Sequence, residues 1–184
     1  VTLTGRGFGA LGPHLCIFGA TNSTAVSATL HDDSELFCTS PSGTYGAATM
    51  RISMNGQQYL YSSLEFNFYR VPLAARLSPS TGPVQGGTFV VIYGDYMHGG
   101  SDRLCQFSLN TAPVPLVALP ESENASVCVT LPVDATQSRS LSLTLNGQQY
   151  VDSGLMFHFM QEASISAMSP AAGPIHGQML ISID

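Results

Sequence analysis

Charge is what this chain lacks most. Only 10% of its 184 residues are Asp, Glu, Lys or Arg, against about a quarter in ordinary soluble domains. Six Lys plus Arg leave a formal net charge of −6, which removes the electrostatic basis for gripping a phosphate backbone and excludes nucleic acid as a partner. Tryptophan is absent, and no run of 18 apolar residues exists, so direct membrane insertion by a helix of this segment is not expected. The opening Val1-Thr2-Leu3-Thr4 has no charged leader or apolar signal core; a secretion signal would lie outside the segment. Close Cys-x-x-Cys pairs, the usual mark of a zinc site, are also missing.

Hydrophobic content is ordinary at 44%. With so few charges, the surface must be covered by Ser, Thr, Asn, Gln and Gly, or by something attached to them.

What is present is said twice. Asn55-Gly56-Gln57-Gln58-Tyr59 recurs letter for letter as Asn146-Gly147-Gln148-Gln149-Tyr150, 91 positions later. At the same offset Leu77-Ser78-Pro79-Ser80-Thr81-Gly82-Pro83 returns as Met168-Ser169-Pro170-Ala171-Ala172-Gly173-Pro174, and Phe66 and Phe68 return as Phe157 and Phe159. A period near 90 divides the chain into units at 1–73 and 74–163, with the start of a third at 164–184.

The four cysteines fall as one pair per unit, Cys16 with Cys38 and Cys105 with Cys128, separated by 22 and 23 residues. An intradomain disulfide in each is preferred over free buried thiols. Two glycosylation sequons, at Asn22 and Asn124, lie between the cysteines of their units. Paired cysteines, sequons and low charge together point to the extracellular side and to covalent glycans.

The hydrophobic period is two. In Ser140-Leu141-Ser142-Leu143-Thr144-Leu145 strict alternation puts three leucines on one strand face and the hydroxyls on the other, and Thr49-Met50-Arg51-Ile52-Ser53-Met54 keeps the same register. Both run into Asn-Gly, which predicts type I′ hairpin turns with returning strands over 57–60 and 148–151. Further strands are expected over 64–69 and 155–160, each with two phenylalanines facing the core, and over 88–93, 104–109 and 126–131. Residues 76–88, with Pro79, Gly82, Pro83, Gly86 and Gly87, read as a broken edge strand and a tight corner. The pattern is that of an all-β chain of tandem β-sandwiches.

These residues resemble the IPT/TIG family of immunoglobulin-like, early-set domains. Its Ser-Pro-x-x-Gly-Pro-x-x-Gly-Gly-Thr opening is matched by Ser78, Pro79, Gly82, Pro83, Gly86, Gly87 and Thr88, and its Gly-x-x-Phe by Gly5 and Phe8, with Gly94 and Met97 in the second unit. Its extracellular, plexin-like branch adds Cys-x-Phe and Cys-x-x-Pro, seen as Cys16, Phe18, Cys38 and Pro41, and in the second unit as Cys105, Phe107 and Cys128 with the proline delayed to Pro132. The resemblance implies a structural or binding module.

No residues converge on catalysis. His14, His98, His158 and His176 fall opposite Arg103, Gly9, Asn67 and Gln85 in the repeat register, so none is duplicated. No nucleophile elbow precedes a helix. Gly5-Arg6-Gly7-Phe8-Gly9 reads as a β-turn rather than a phosphate loop, and Asp32, Asp33 and Glu35 as a solvated loop rather than a calcium site. Tyr45, Tyr61 and Tyr96 share no repeat position. No enzyme activity, metal or dissociable cofactor is expected.

The ends suggest assembly. Residues 1–4 match 90–93, so the first unit lacks counterparts of residues 75–89, while 165–184 spell the start of another unit. Either the chain is a window on a longer array, or Ser169, Pro170, Gly173, Pro174, Ile181 and Ile183 belong to a strand completing the first unit of the next copy, head to tail. The expected role is a glycosylated extracellular repeat of a surface filament, appendage or long ectodomain. The alternative is a receptor or adhesion ectodomain that binds a protein or carbohydrate.

Overall fold

The computed structural model describes residues 1–9, 12–19, 23–108, 112–118 and 124–183. Among them there are strands and turns but no helix, and so no helix long and apolar enough to cross a membrane.

The first unit comprises β1 (Thr2–Thr4), β2 (Leu15–Phe18), β3 (Ala25–Leu30), β4 (Glu35–Cys38), β5 (Gly46–Ser53) and β6 (Leu60–Phe68), in the order β1-β4-β3-β2-β5-β6. β3 is shared: Ala25 to Ser27 pair with β2, and Ala28 to Leu30 pair with β4. The sheet therefore folds over on itself. Leu3, Phe8, Phe18, Leu36 and Met50 fill the space between its halves.

The second unit comprises β7 (Leu73–Ser78), β8 (Thr81–Pro83), β9 (Phe89–Asp95), β10 (Leu104–Phe107), β11 (Val114–Pro115), β12 (Val117–Ala118), β13 (Ala125–Val129), β14 (Gln137–Thr144) and β15 (Val151–Met160). One sheet is ordered β11-β10-β14-β15-β8 and the other β12-β13-β9-β7. Val90, Ile92, Met97, Leu141, Leu143, Leu145, Phe157 and Phe159 pack between them. Met97 is fully buried in the place that Phe8 holds in the first unit, so the departure from Gly-x-x-Phe keeps its apolar plug.

One local expectation is corrected. Among the described residues Asn55 and Asn146 do not have positive φ, although Gly56 (76°) and Gly147 (69°) do, so the loops are not type I′ turns. Each Asn Oδ1 instead accepts hydrogen bonds from two backbone N–H groups, those of Gln57 and Gln58 at 3.0 Å in the first loop and of Gln148 and Gln149 at 3.1 and 3.0 Å in the second. This side-chain cap widens the turn, and the returning strands start later, at Leu60 and Val151, and run without a break to Phe68, one residue short of the expected end, and to Met160. Asn146→Ala removes the acceptor of both bonds and is expected to cost about 1 kcal/mol, read as a lower urea midpoint; no change would show the cap to be dispensable.

The hydroxyl face of β14 is not solvated. Ser142 and Thr144 are as buried as Leu141, Leu143 and Leu145 beside them, because short side chains on a central strand sit below longer cross-strand neighbours such as Gln106 and Asp152.

Residues 76–88 form the broken edge strand and corner expected of them. β7 pairs antiparallel with β9, the chain passes the cis Ser78–Pro79 bond, and β8 then pairs in parallel with β15 in the opposite sheet. One short segment thus closes both sheets.

Candidate functional site at the open edge of the first sandwich

The two units differ where β7 and β8 lie. In the second, Thr81, Gly82 and Pro83 stand opposite His158, Phe159 and Met160, and Gly82 sits so close that a Cβ there would lie 2.8 Å from Phe157 Cζ. Phe157 and Phe159 are 0% and 2% exposed. Their counterparts Phe66 and Phe68 keep the same ring geometry, 4.9 Å apart and edge-on, with Phe18 at 5.1 Å from Phe66. They are only half-buried.

Beside Phe66 and Phe68 lies a cleft of about 520 Å³, walled by Pro41, Tyr45, Arg70 and the Asn146 loop of the second unit. A second hollow of about 490 Å³ continues past Val1 and Cys38. Leu60 and Leu64 on β6 are exposed. The edge is therefore apolar along its strand and polar across its mouth.

A clasp that the sequence did not announce spans this cleft. The Arg70 guanidinium lies 5.4 Å from the Tyr45 ring and 4.9 Å from the Tyr96 ring, and its Nη1 donates to the Tyr96 hydroxyl at 3.0 Å. Tyr45 and Tyr96, which share no repeat position, are brought together by the joint itself. Tyr69 packs against the core of the second unit, and burial raises the pKa of its hydroxyl above the ordinary value. Such a cation between two rings contributes about 0.5–1 kcal/mol at an exposed site and orients one unit against the other.

The remaining sequence candidates have local roles. Cys16 is disulfide-bonded to Cys38, and Cys105 to Cys128, each pair buried and linking one sheet half to the other. Asn124 is exposed at the turn into β13, while Asn22 lies outside the described residues. The Asp32 carboxylate accepts from the Ser34 hydroxyl and from the Ser34 and Glu35 N–H groups, bonds that hold its pKa below the ordinary value. Asp33 Oδ1 accepts from Gly9 N–H at 2.9 Å. These carboxylates cap a turn, and among the described residues no group of His, Cys, Asp and Glu could hold a metal. His14, His31 and His158 are scattered, respectively near the Phe8 carbonyl, the Phe37 ring and the Ser138 hydroxyl. Gly5 N–H donates to Ser34 O within the turn that delivers Phe8 to the core.

Residues 164–183 are exposed throughout. Their short strands β16 (Met168–Ser169) and β17 (Ser182–Ile183) pair Met168 with Ile183 and Ser169 with Ser182. That is the register in which Leu77 meets Ile92 and Ser78 meets Val91 in the second unit. Ser169, Pro170, Gly173, Pro174, Ile181 and Ile183 thus repeat the β7–β9 corner without a sandwich beneath it.

Comparison with known proteins agrees with this architecture. Residues 72–159 match the model of the IPT/TIG domain. The full extracellular region of plexin A4, domains 1 to 10, is similar with a TM-score of 0.59 and 18% identity over 92% of this chain and 15% of that one. A second plexin A4 structure, comprising domains 1 to 8, gives 0.50 and 18% over 86% and 16%. The chain spans less than a fifth of these proteins, and the likeness is one of fold. With the Ser-Pro-x-x-Gly-Pro corner and the buried disulfide of the second sandwich in place, residues 72–159 are an IPT/TIG domain, of the immunoglobulin-like fold.

Proposed function

We propose that the protein is an extracellular structural protein, a glycosylated repeat of a surface filament, appendage or long ectodomain, with no catalytic role. The observation that carries this reading is the joint: two sandwiches connected by only the four residues between β6 and β7, with Arg70 clasped between Tyr45 and Tyr96. Short, clasped joints stiffen a chain of beads, and stiffness is what a filament needs. Disulfides that persist only in oxidising compartments support the extracellular setting. So does the exposed sequon at Asn124.

Electron microscopy of native material is expected to show continuous fibres with a repeat set by the sandwich length. Isolated particles on membranes would favour a receptor or adhesion ectodomain, the reading encouraged by the likeness to the plexin A4 extracellular region. Glycans on the sparse-charge surface would supply solubility. Enzymatic deglycosylation of native protein is expected to lower its mass, and Asn124→Gln to remove one increment; an unchanged mass after deglycosylation would end the glycoprotein proposal.

A further inference from the structure

We infer that the Ser126 hydroxyl occupies the core of the second sandwich because it makes Asn124 a glycan acceptor, and that Asn124 receives its glycan only before β13 takes its place between β9 and β12. This rests on the glycoprotein reading above and adds when, and through which residue, the sugar is attached.

Ser126 contributes little to the fold. It stands opposite Ile92 on β9 and Ala118 on β12 and is 0% exposed. Among the described residues its Oγ is the one buried hydroxyl oxygen without a hydrogen-bond partner. Other buried hydroxyls are satisfied: Thr130 Oγ1 accepts from Thr88 N–H at 3.1 Å, and Thr144 Oγ1 donates to Asn146 Oδ1 at 3.1 Å. Leaving such a group dry and unpaired is unfavourable, and an apolar side chain would remove the loss. The first sandwich has that alternative in place. Counted back two residues from the second cysteine of each unit, Ser126 corresponds to Leu36, which is 0% exposed and belongs to the core of the first sandwich.

What Ser126 supplies is the third position of Asn124-Ala125-Ser126. The acceptor triplet is defined by a hydroxyl two residues beyond the asparagine, so the transferase must reach that hydroxyl as well as the amide. Folding parts the two. Asn124 is exposed at the turn into β13, whereas Ala125 is 1% exposed and Ser126 not at all. β13 runs between β9 and β12, and the Asn124 carbonyl accepts from Gly94 N–H at 2.9 Å. Cys128, two residues beyond Ser126, is bonded to Cys105 on β10 of the opposite sheet. Bringing the triplet to an enzyme means drawing the strand out of its sheet, and an inner strand tied in this way opens only with the sandwich as a whole.

The chemistry is one substitution at an anomeric carbon. Asn124 Nδ2 bonds to C1 of a polyprenyl-diphosphate-linked oligosaccharide. The bond from C1 to the diphosphate oxygen breaks, the polyprenyl diphosphate leaves with that electron pair, and one amide proton passes to a base of the transferase. Folding afterwards buries the hydroxyl that admitted the sugar and leaves the glycan at the exposed turn. A chain that folds and oxidises first stays bare there. The other triplet, Asn22-Ser23-Thr24, is a control within the same chain, because its third residue, Thr24, is exposed.

The test offers the full chain, made without glycans, to oligosaccharyltransferase and a polyprenyl-diphosphate-linked oligosaccharide. One sample is oxidised and folded, the other reduced and alkylated, and occupancy at each asparagine is read by peptide mass spectrometry. Asn124 is expected to be modified in the alkylated chain and about a hundredfold or more slowly in the folded one, with Asn22 much less sensitive. Ser126→Ala is expected to abolish the Asn124 glycan and Ser126→Thr to keep it. In protein without glycans, Ser126→Ala is expected to leave the melting temperature equal or higher. Equal rates at Asn124 in the two samples, or an Asn22 rate that falls as steeply, would overturn the inference while the glycoprotein reading stands. A melting temperature lowered by Ser126→Ala would do the same, by showing that the hydroxyl serves the fold. Asn124 left bare in both samples would also overturn the inference and, with Asn22 bare as well, the glycoprotein reading too.

Discussion

Phe157→Ala is expected to destabilise the second sandwich by about 3–5 kcal/mol, while Phe66→Ala costs the first distinctly less. The two rings occupy the same repeat position and have the same neighbours, with Phe107 and Phe159 at 5.3 and 4.9 Å from Phe157, and Phe18 and Phe68 at 5.1 and 4.9 Å from Phe66. What differs is the cover. Gly82 lies against Phe157, which has no exposed surface, whereas Phe66 faces the cleft. Truncating a sealed ring leaves a cavity whose lining loses its partners; truncating one at a cleft wall lets water or a moving side chain fill the space. Calorimetry on dilute protein, where copies do not meet, reads the comparison directly. Equal losses for the two variants would show that the cover over the ring does not set the cost of removing it.

This contrast also marks the limit of what the residues alone disclose. The repeat, the alternation of β5 and β14, the paired phenylalanines of β6 and β15 and the pairing of the cysteines are one-dimensional signals: a fixed period or a fixed side of a strand suffices to read them. The Asn-Gly loops defeated that reading because the same dipeptide serves two turn geometries, and the choice was made by the Asn55 and Asn146 side chains capping two N–H groups each. The burial of Ser142 and Thr144 was not legible, because alternation says which face a side chain takes, not how deeply neighbouring strands bury that face. The clasp was missed for a different reason. Arg70 is one of only six Lys plus Arg in the chain and sits between the units, a signal that was available. Its partners Tyr45 and Tyr96 occupy unrelated repeat positions, so a search for duplicated features passes over a contact that exists because the two units meet. The open edge was legible as a shortfall in the alignment of the units; that it forms a cleft lined by Phe66 and Phe68 depended on how the second unit approaches.

The second large effect concerns the disulfides, and it should be confined to one sandwich at a time. Cys105 lies on β10 and Cys128 on β13, strands of opposite sheets, and both are fully buried. Their bond closes a loop with a sequence separation of 23, which in the chain-entropy account removes denatured-state freedom worth about 3 kcal/mol. For a unit of this size the paired variant Cys105→Ala with Cys128→Ala is expected to lower the melting temperature by roughly 10–25 °C, and the loss of two buried sulfurs pushes toward the larger figure. The first sandwich has its own core and its own bond, Cys16 to Cys38. Its transition should therefore stay where it was, so that differential scanning calorimetry of the variant shows one transition shifted down against an unmoved one. A single peak moving as a whole would show that the clasp around Arg70 couples the sandwiches into one cooperative unit, with the joint stiffer than its aromatic contacts imply. Either pattern bears on the proposed filament, because a repeat whose sandwiches melt together would transmit strain along a fibre, and one whose sandwiches melt apart would yield at its weaker bead.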